Sequence, residues 1–180
     1  MRNADMDEFV ILVDNEDTDL GAMEKLEAHR QGSLHRAFSV FLFDNEGRML
    51  LQQRAADKYH SPRLWTNACC SHPAPGESVI DAAQRRMKQE LGISTRLTPQ
   101  FKFTYRAELE NGLVEHEIDH VFFGTWDGQL KPDPREVMDT RWLSLAELDR
   151  EIATTSEKFT AWLLICWPQV RKRWALNLQQ

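Results

Sequence analysis

Apolar and polar positions recur regularly enough along this chain to predict most of its elements. Phe9 to Val13 is a short apolar run that reads as a strand, with a polar turn through Asp14 to Asp17 behind it. Residues 22 to 30 are expected to form a short helix that Gly32 ends. Phe38 to Phe43 is a strong strand signal, Asp44-Asn45-Glu46-Gly47 is a turn, and Arg48 to Gln53 returns as the hairpin mate. Residues 54 to 76 read as irregular, because Pro62, Pro73, Pro75 and Gly76 break any regular element. After Ser78, apolar residues Ile80, Ala83, Met87 and Leu91 recur at helical spacing, Asp81 gives a weak capping box, and Gly92 is the stop. Phe101 to Ala107 and Leu113 to Phe123 are predicted strands around a loop at Glu110-Asn111-Gly112. Ser144 with Glu147 caps a helix to about Ile152, and a last apolar helix starts near Ser156, which Pro168 is expected to end or kink. Trp174 to Gln180 read as a tail or a lid. Strands, a helix, strands and then helices predict an α+β fold rather than a βαβ series.

The chain has 180 residues, enough for one domain with a real core and no disulfides. Residues 1–8 read as a flexible N-terminus without the apolar stretch of a secretory signal, and 9–180 as a single domain. No apolar run approaches the roughly 18 residues of a membrane span. The net charge of −6 argues against nucleic acid and against an anionic membrane as partners. It also turns attention away from anionic substrates, until the motifs below are considered. Three cysteines, with Cys69 and Cys70 adjacent, do not make a disulfide framework, so a reducing cytoplasm is the expected setting.

Candidate chemistry concentrates in a few places. On a strand over 113–123, Glu115, Glu117 and Asp119 share one face, where two carboxylates can converge on one ion. Pattern alone favours a solvated strand face there. The other face, with His116 and His120, is not purely apolar either. Cys70 and His72 point the same way if their backbone is extended, and Cys70 near cationic groups would be a low-pKa acid or nucleophile. Cys166, alone in an apolar helix, reads as a small buried hydrophobe. His29 and His35 flank the Gly32 turn, whereas His60 reads as an ordinary surface or core histidine. Three histidines and two carboxylates would suit a six-coordinate divalent metal. Arg86 and Glu90 stand at i, i+4, either as a surface ion pair or as a phosphate contact beside a magnesium-binding carboxylate.

Together these segments resemble a known family. Gly76-Glu77 followed by Arg85 through Ile93 resembles a degenerate Nudix box, with Ser71 at its first glycine, Glu77 and Arg85 retained, and Arg86 and Gln89 in place of two acids. Only Glu90 of the acidic cluster remains, which suits pyrophosphate hydrolysis poorly. Thr66-Asn67-Ala68-Cys69-Cys70-Ser71-His72-Pro73 resembles the T-N-x-x-C-[GS]-H-P signature of the type I isopentenyl-diphosphate delta-isomerases of the Nudix superfamily. Glu115-His116-Glu117 resembles that family's E-x-E pair. Glu24 to His29 and Leu34 to Phe38 resemble its N-terminal histidine region. The likeness runs from about residue 9 to 175.

The resemblance implies a Nudix-like mixed β-sheet core flanked by helices. It implies a 1,3-allylic proton shift between isopentenyl and dimethylallyl diphosphate through a tertiary carbocation. Cys70 and Glu117 would exchange the protons, Tyr105 would bond near the glutamate, and Trp162 would face the cation, where its alternative is plain core packing. His29, His35, His72, Glu115 and Glu117 would hold a divalent ion, with manganese expected and magnesium or zinc as alternatives. Glu90 would hold a magnesium ion bridged to the diphosphate. Lys25, Arg54, Lys58, Ser71 and Arg86 would contact the diphosphate. A monomer is expected, with a dimer left open. A Nudix hydrolase and a non-catalytic metal-binding domain are the rival readings.

Overall fold

The computed structural model describes residues 9–177; the expected flexible N-terminus over 1–8 and the last three residues, 178–180, lie outside it. In chain order its elements are β1 (Phe9–Val13), β2 (Asp19–Glu24), α1 (Lys25–Gln31), β3 (His35–Phe43), β4 (Met49–Arg54), β5 (Trp65–Thr66), β6 (Cys69–Ser71), α2 (Val79–Leu91), β7 (Thr98–Glu108), β8 (Val114–Thr125), β9 (Val137–Leu143), α3 (Leu145–Thr155) and α4 (Ala161–Asn177). The strands make one mixed sheet, with helices packed on it. β3 is its hub: it runs parallel to β8 from His35↔Glu117 to Phe43↔Thr125, and antiparallel to β1, β4 and β6.

Alternation along the central strands gives the sheet two cores. Phe38, Val40, Leu42, Leu50 and Phe122 pack with Ala83, Met87 and Leu91 of α2. The intervening Phe41, Phe43, Met49, Leu51, Val121 and Phe123 pack with Leu148 of α3 and Leu163, Trp167 and Val170 of α4. The same alternation puts His35, Ser39, Glu117 and Asp119 on the α4 side, where polar residues continue the line of the second core.

α2 begins at Ser78, whose hydroxyl accepts from the Asp81 amide, and ends at Gly92 in the left-handed region (φ 69°). Ser144 and Glu147 form the full capping box of α3. Four expectations are corrected. Asp19–Glu24 is an edge strand paired with β1, and the helix starts only at Lys25. The strand is almost wholly exposed and so carries no alternation to read. Short strands β5 and β6 lie within the stretch read as irregular; each is held by pairing to a distant strand, which no local pattern shows. Around Ser156 there is one 3-10 turn, and α4 starts at Ala161 and runs through Pro168 to Asn177. Burial of Leu163, Cys166, Trp167, Val170 and Trp174 outweighs the single bond lost at the proline. Trp174 is neither tail nor lid: its ring stacks on Phe43 at 3.6 Å. β9 is a further strand that the hydropathy pattern does not announce; it pairs with β4.

Candidate active site

The pocket sits where β3, β6 and β8 meet the starts of α1 and α4. His35 lies beside Glu117 across the β3–β8 ladder, and Ser39 beside Cys70 across β3–β6. Lys25, Arg54, Lys58, Cys70, Ser71, His72, Arg86, Tyr105, Glu115, Glu117 and Trp162 all line one cavity, with Phe38, Ser39, Tyr59 and His60. His29 and His35 are fully buried, their rings packed against that of His72. Glu90, also buried, accepts from Arg86 at 2.8 Å and from Gln52 at 3.1 Å. The acidic face of β8 is therefore not solvated: Glu115, Glu117 and Asp119 are 4%, 5% and 1% exposed.

The histidines are held in one tautomer. His29 Nδ1 lies 2.7 Å from the Lys25 carbonyl and His35 Nδ1 2.8 Å from the Ser33 carbonyl. A carbonyl only accepts, so both Nδ1 atoms carry a hydrogen, and in the neutral ring Nε2 is the nitrogen left bare. Both Nε2 atoms are buried without a hydrogen-bond partner. His35 Nε2 faces Glu117 Oε1 at 3.3 Å, and His72 Nε2 lies 3.0 Å from the same oxygen. In the neutral His35 ring, Nε2 turned on the carboxylate oxygen is an acceptor facing an acceptor, an arrangement that a cation between them resolves. Ligand atoms of His29, His35, His72 and Glu117 all lie within 4.8 Å of one another, a cluster compatible with a divalent metal. Glu115 falls instead in an overlapping group with His29 and His60.

Burial and mutual charge set the protonation of this end. Burial pushes the Glu117 carboxyl up, but the neighbouring His35 and His72 rings outweigh it and hold it well below the usual range. Burial and the neighbouring Glu117 charge push Glu115 well up. The Tyr105 hydroxyl reaches both, at 2.7 Å to Glu117 Oε2 and 3.1 Å to Glu115 Oε2. Burial lowers His72 to about 4, against the pull of Glu117. Burial, then the Glu117 charge, raises Asp119 to about 8, while the Ser39 hydroxyl donates to it at 2.7 Å.

Cys70 departs from expectation. Burial and the Asp119 charge push its thiol up to about 12, so it is a neutral thiol rather than a low-pKa group. Its sulfur receives the Trp162 indole N–H at 3.0 Å, and the buried Trp162 also lines the cavity. Cys166 is buried as expected.

The basic residues are engaged by groups absent from the predicted set. Arg54 donates to the carbonyls of His60 and Ser61, both at 3.1 Å, and its guanidinium lies 5.2 Å from the Trp162 ring centre. Lys25 stands 5.7 Å over Tyr59. Glu136 pairs with Lys58 and, at 3.3 Å, with Arg86. His60 is only 6% exposed and lies 3.8 Å from Glu115. Burial, then Arg54, lowers its pKa to about 2. Its place between Lys58 and the Thr66 motif is the one signal that could have flagged it. Glu136 follows a Pro132-Asp133-Pro134 turn, and nothing in its sequence marks it. The box remnants Glu77 and Arg85 pair at 2.8 and 2.9 Å, with Glu77 accepting from the Ala74 amide, so they brace the loop into α2.

Residues 33–163 match the NUDIX domain family. The chain is 47% identical over 165 residues to "Isopentenyl-diphosphate Delta-isomerase" of Pectobacterium atrosepticum, covering 92% of each chain. It is 50% identical over 165 residues to "Isopentenyl-diphosphate Delta-isomerase 1" of Aromatoleum aromaticum, covering 92% of this chain and 93% of that one. Among solved structures it resembles DR0079 from Deinococcus radiodurans with a TM-score of 0.69 at 19% identity, over 82% of this chain and 90% of that one. That last likeness shows the fold alone.

Proposed function

This chain belongs to the isopentenyl-diphosphate Delta-isomerases among the NUDIX-domain proteins, and on that premise we propose how its pocket moves a double bond. The enzyme interconverts isopentenyl and dimethylallyl diphosphate, supplying isoprenoid precursors. One proton enters the terminal alkene carbon, a tertiary carbocation forms, and a second proton leaves from the other side of the cationic carbon. Such a reaction needs a positioned acid, a base, a partner for positive charge and the exclusion of water.

Cys70 and Glu117 exchange these protons, their roles reversing with direction. Cys70 is suited to carry one because it is held as a thiol, and Glu117 to receive one because it is held ionised. Tyr105 keeps Glu117 in place through its 2.7 Å bond. The Trp162 ring offers its face to the cation, worth about 2 kcal/mol when desolvated. His29, His35, His72 and Glu117, with Glu115 beside them, would hold a divalent ion, manganese by preference and magnesium or zinc otherwise. That ion would supply the positive charge that lowers the pKa of the carboxylate on it. Lys25, Arg54, Lys58, Arg86 and Ser71 line the diphosphate end. Glu90 would hold the magnesium that accompanies the diphosphate. Its Oε1 accepts from Arg86 and its Oε2 from Gln52, so the ion would be held beside a residue that also lines the diphosphate end.

The observation that carries this reading is the convergence of Cys70, Glu117 and Trp162 on one cavity that Lys25, Arg54, Lys58 and Arg86 also line. The hydrolase alternative needs acids where this chain has Arg86 and Gln89. Proton NMR of isopentenyl diphosphate in deuterated water, with magnesium and manganese present, tests it. Label entering the substrate together with the dimethylallyl isomer is expected; release of inorganic phosphate without isomer would overturn it. We place the enzyme in the cytoplasm as a monomer, without nucleic-acid or membrane partners. The unpaired Cys69, Cys70 and Cys166 support the cytoplasm, and the acidic net charge the lack of a nucleic-acid or anionic-membrane partner.

A further inference from the structure

The Thr66-Asn67 pair opens the motif that contains Cys70, yet no step above uses it. Asn67 is fully buried. Its Nδ2 donates to the Val40 carbonyl at 3.0 Å and to the Cys69 carbonyl at 3.1 Å. Both partners only accept, so the amide has one possible orientation, with Oδ1 on the other side. There Oδ1 meets Thr66 Oγ1 at 3.0 Å and Cys70 Sγ at 2.9 Å. Thr160, just ahead of α4, donates its hydroxyl to Thr66 at 3.0 Å, which leaves the Thr66 hydrogen for Asn67. An amide oxygen cannot donate, so the short contact to sulfur requires the S–H to point at Asn67.

We propose that Asn67 is a positioning residue that holds the Cys70 thiol proton, directing the S–H at its carboxamide oxygen while Trp162 donates to the same sulfur from α4. This deepens the reading of Cys70 as a proton carrier and rests on it. A sulfur hydrogen turned elsewhere would place two acceptors 2.9 Å apart, so the contact fixes the direction of the S–H. Once the proton is passed on, the indole N–H remains at 3.0 Å to bond the sulfur. Thr160 and Trp162 are two residues apart, so one buried network orients both the thiol and the indole.

Infrared spectroscopy in the S–H stretching region tests this on the protein without substrate or metal. The spectrum of the parent minus that of Cys70→Ala isolates the Cys70 band. The parent minus Cys166→Ala isolates the Cys166 band, whose thiol makes a 3.6 Å contact to the Leu163 carbonyl. The Cys70 band is expected to lie at lower frequency than the Cys166 band, and to rise in Asn67→Ala. In that variant kcat falls about tenfold while KM for isopentenyl diphosphate stays within about twofold. A Cys70 band that is absent, that lies at or above the Cys166 band, or that does not move in Asn67→Ala overturns the proposal. If Asn67→Ala does not fold, the comparison of the two cysteine bands still decides. The bands read the hydrogen bond directly, so they stand whether or not the protein isomerises isopentenyl diphosphate.

Discussion

β8 shows two faces of one strand, both polar and both largely shielded from water, with opposite purposes. On one face stand Glu115, Glu117 and Asp119; on the other, His116, Ile118 and His120. The acidic face looks onto His35, Ser39 and Cys70, and its charges are left only partly compensated: Asp119 Oδ1 and the Nε2 atoms of His29 and His35 have no hydrogen-bond partner. The histidine face is settled. His116 bonds the Gly32 carbonyl at 3.0 Å, and His120 meets Asp17 at 2.8 Å. Asp17 also receives Arg36 at 2.7 Å and Lys102 at 3.2 Å. Buried polar groups that satisfy each other hold a fold together; unsatisfied ones gathered beside a cavity mark a candidate ligand site.

The largest test of this contrast is Glu117→Gln. It keeps the shape and removes the charge between His35 and His72, so turnover is expected to fall by about 10²–10⁴-fold in the NMR assay. The thermal midpoint is expected to stay within a few degrees. A collapsed fold with residual activity would make the acidic face structural after all.

Metal is the next lever. Protein treated with chelator and then given manganese at about 100 times its dissociation constant is expected to gain about 2.7 kcal/mol of stability. For a chain of this size that raises the thermal midpoint by roughly 5–11 °C. His29→Ala is expected to remove that rise. A rise that survives would move the ion away from the histidine cluster.

The contrast also explains what the sequence made legible. Helix caps at Ser78 and Ser144, the α2 stripe and the β3 and β8 strands are local patterns, and they stand where expected. Cys70, His72, Glu115 and Glu117 lie in short contiguous motifs, so their grouping could be anticipated. The burial of the acidic face could not, because alternation on β8 gives two polar faces and only β3 and α4 decide which is covered. Glu136, which pairs with Lys58 and Arg86, and His60, which lines the pocket, were missed for the same reason, since both stand on loops that pairing between distant strands brings in. β2 has no buried side to betray it.

On the histidine face, Asp17→Asn is expected to cost about 1–3 kcal/mol in urea unfolding while leaving kcat unchanged. Burial raises the Asp17 pKa, but Arg36, Lys102 and His120 outweigh it and the net direction is down. A carboxyl lowered on folding stabilises above its unfolded pKa of about 3.9 and loses that contribution as pH falls through the folded value. The variant and the parent should therefore differ at neutral pH and converge in acid, below about pH 4. A gap that persists there would mean that the interaction is not one of charge.

The smallest expected effect comes from His116→Ala. It removes one hydrogen bond to the Gly32 carbonyl, at a position still partly open to solvent, for about 0.5–1.5 kcal/mol. Yet Gly32 ends α1, which carries His29, and Ser33 beyond it supplies the carbonyl that sets the tautomer of His35. The turn is also held from within, by the Gly32 and Ser33 amides on the Ala28 carbonyl and by the left-handed Gly32 at φ 62°. If these internal bonds suffice, His116→Ala lowers stability slightly and leaves both manganese affinity and turnover as they were. A drop in manganese affinity of about tenfold or more, of the size expected when a group that orients a ligand is lost, would show that the histidine face reaches the site through this turn. The two faces of β8 would then be separate in chemistry but joined in mechanics.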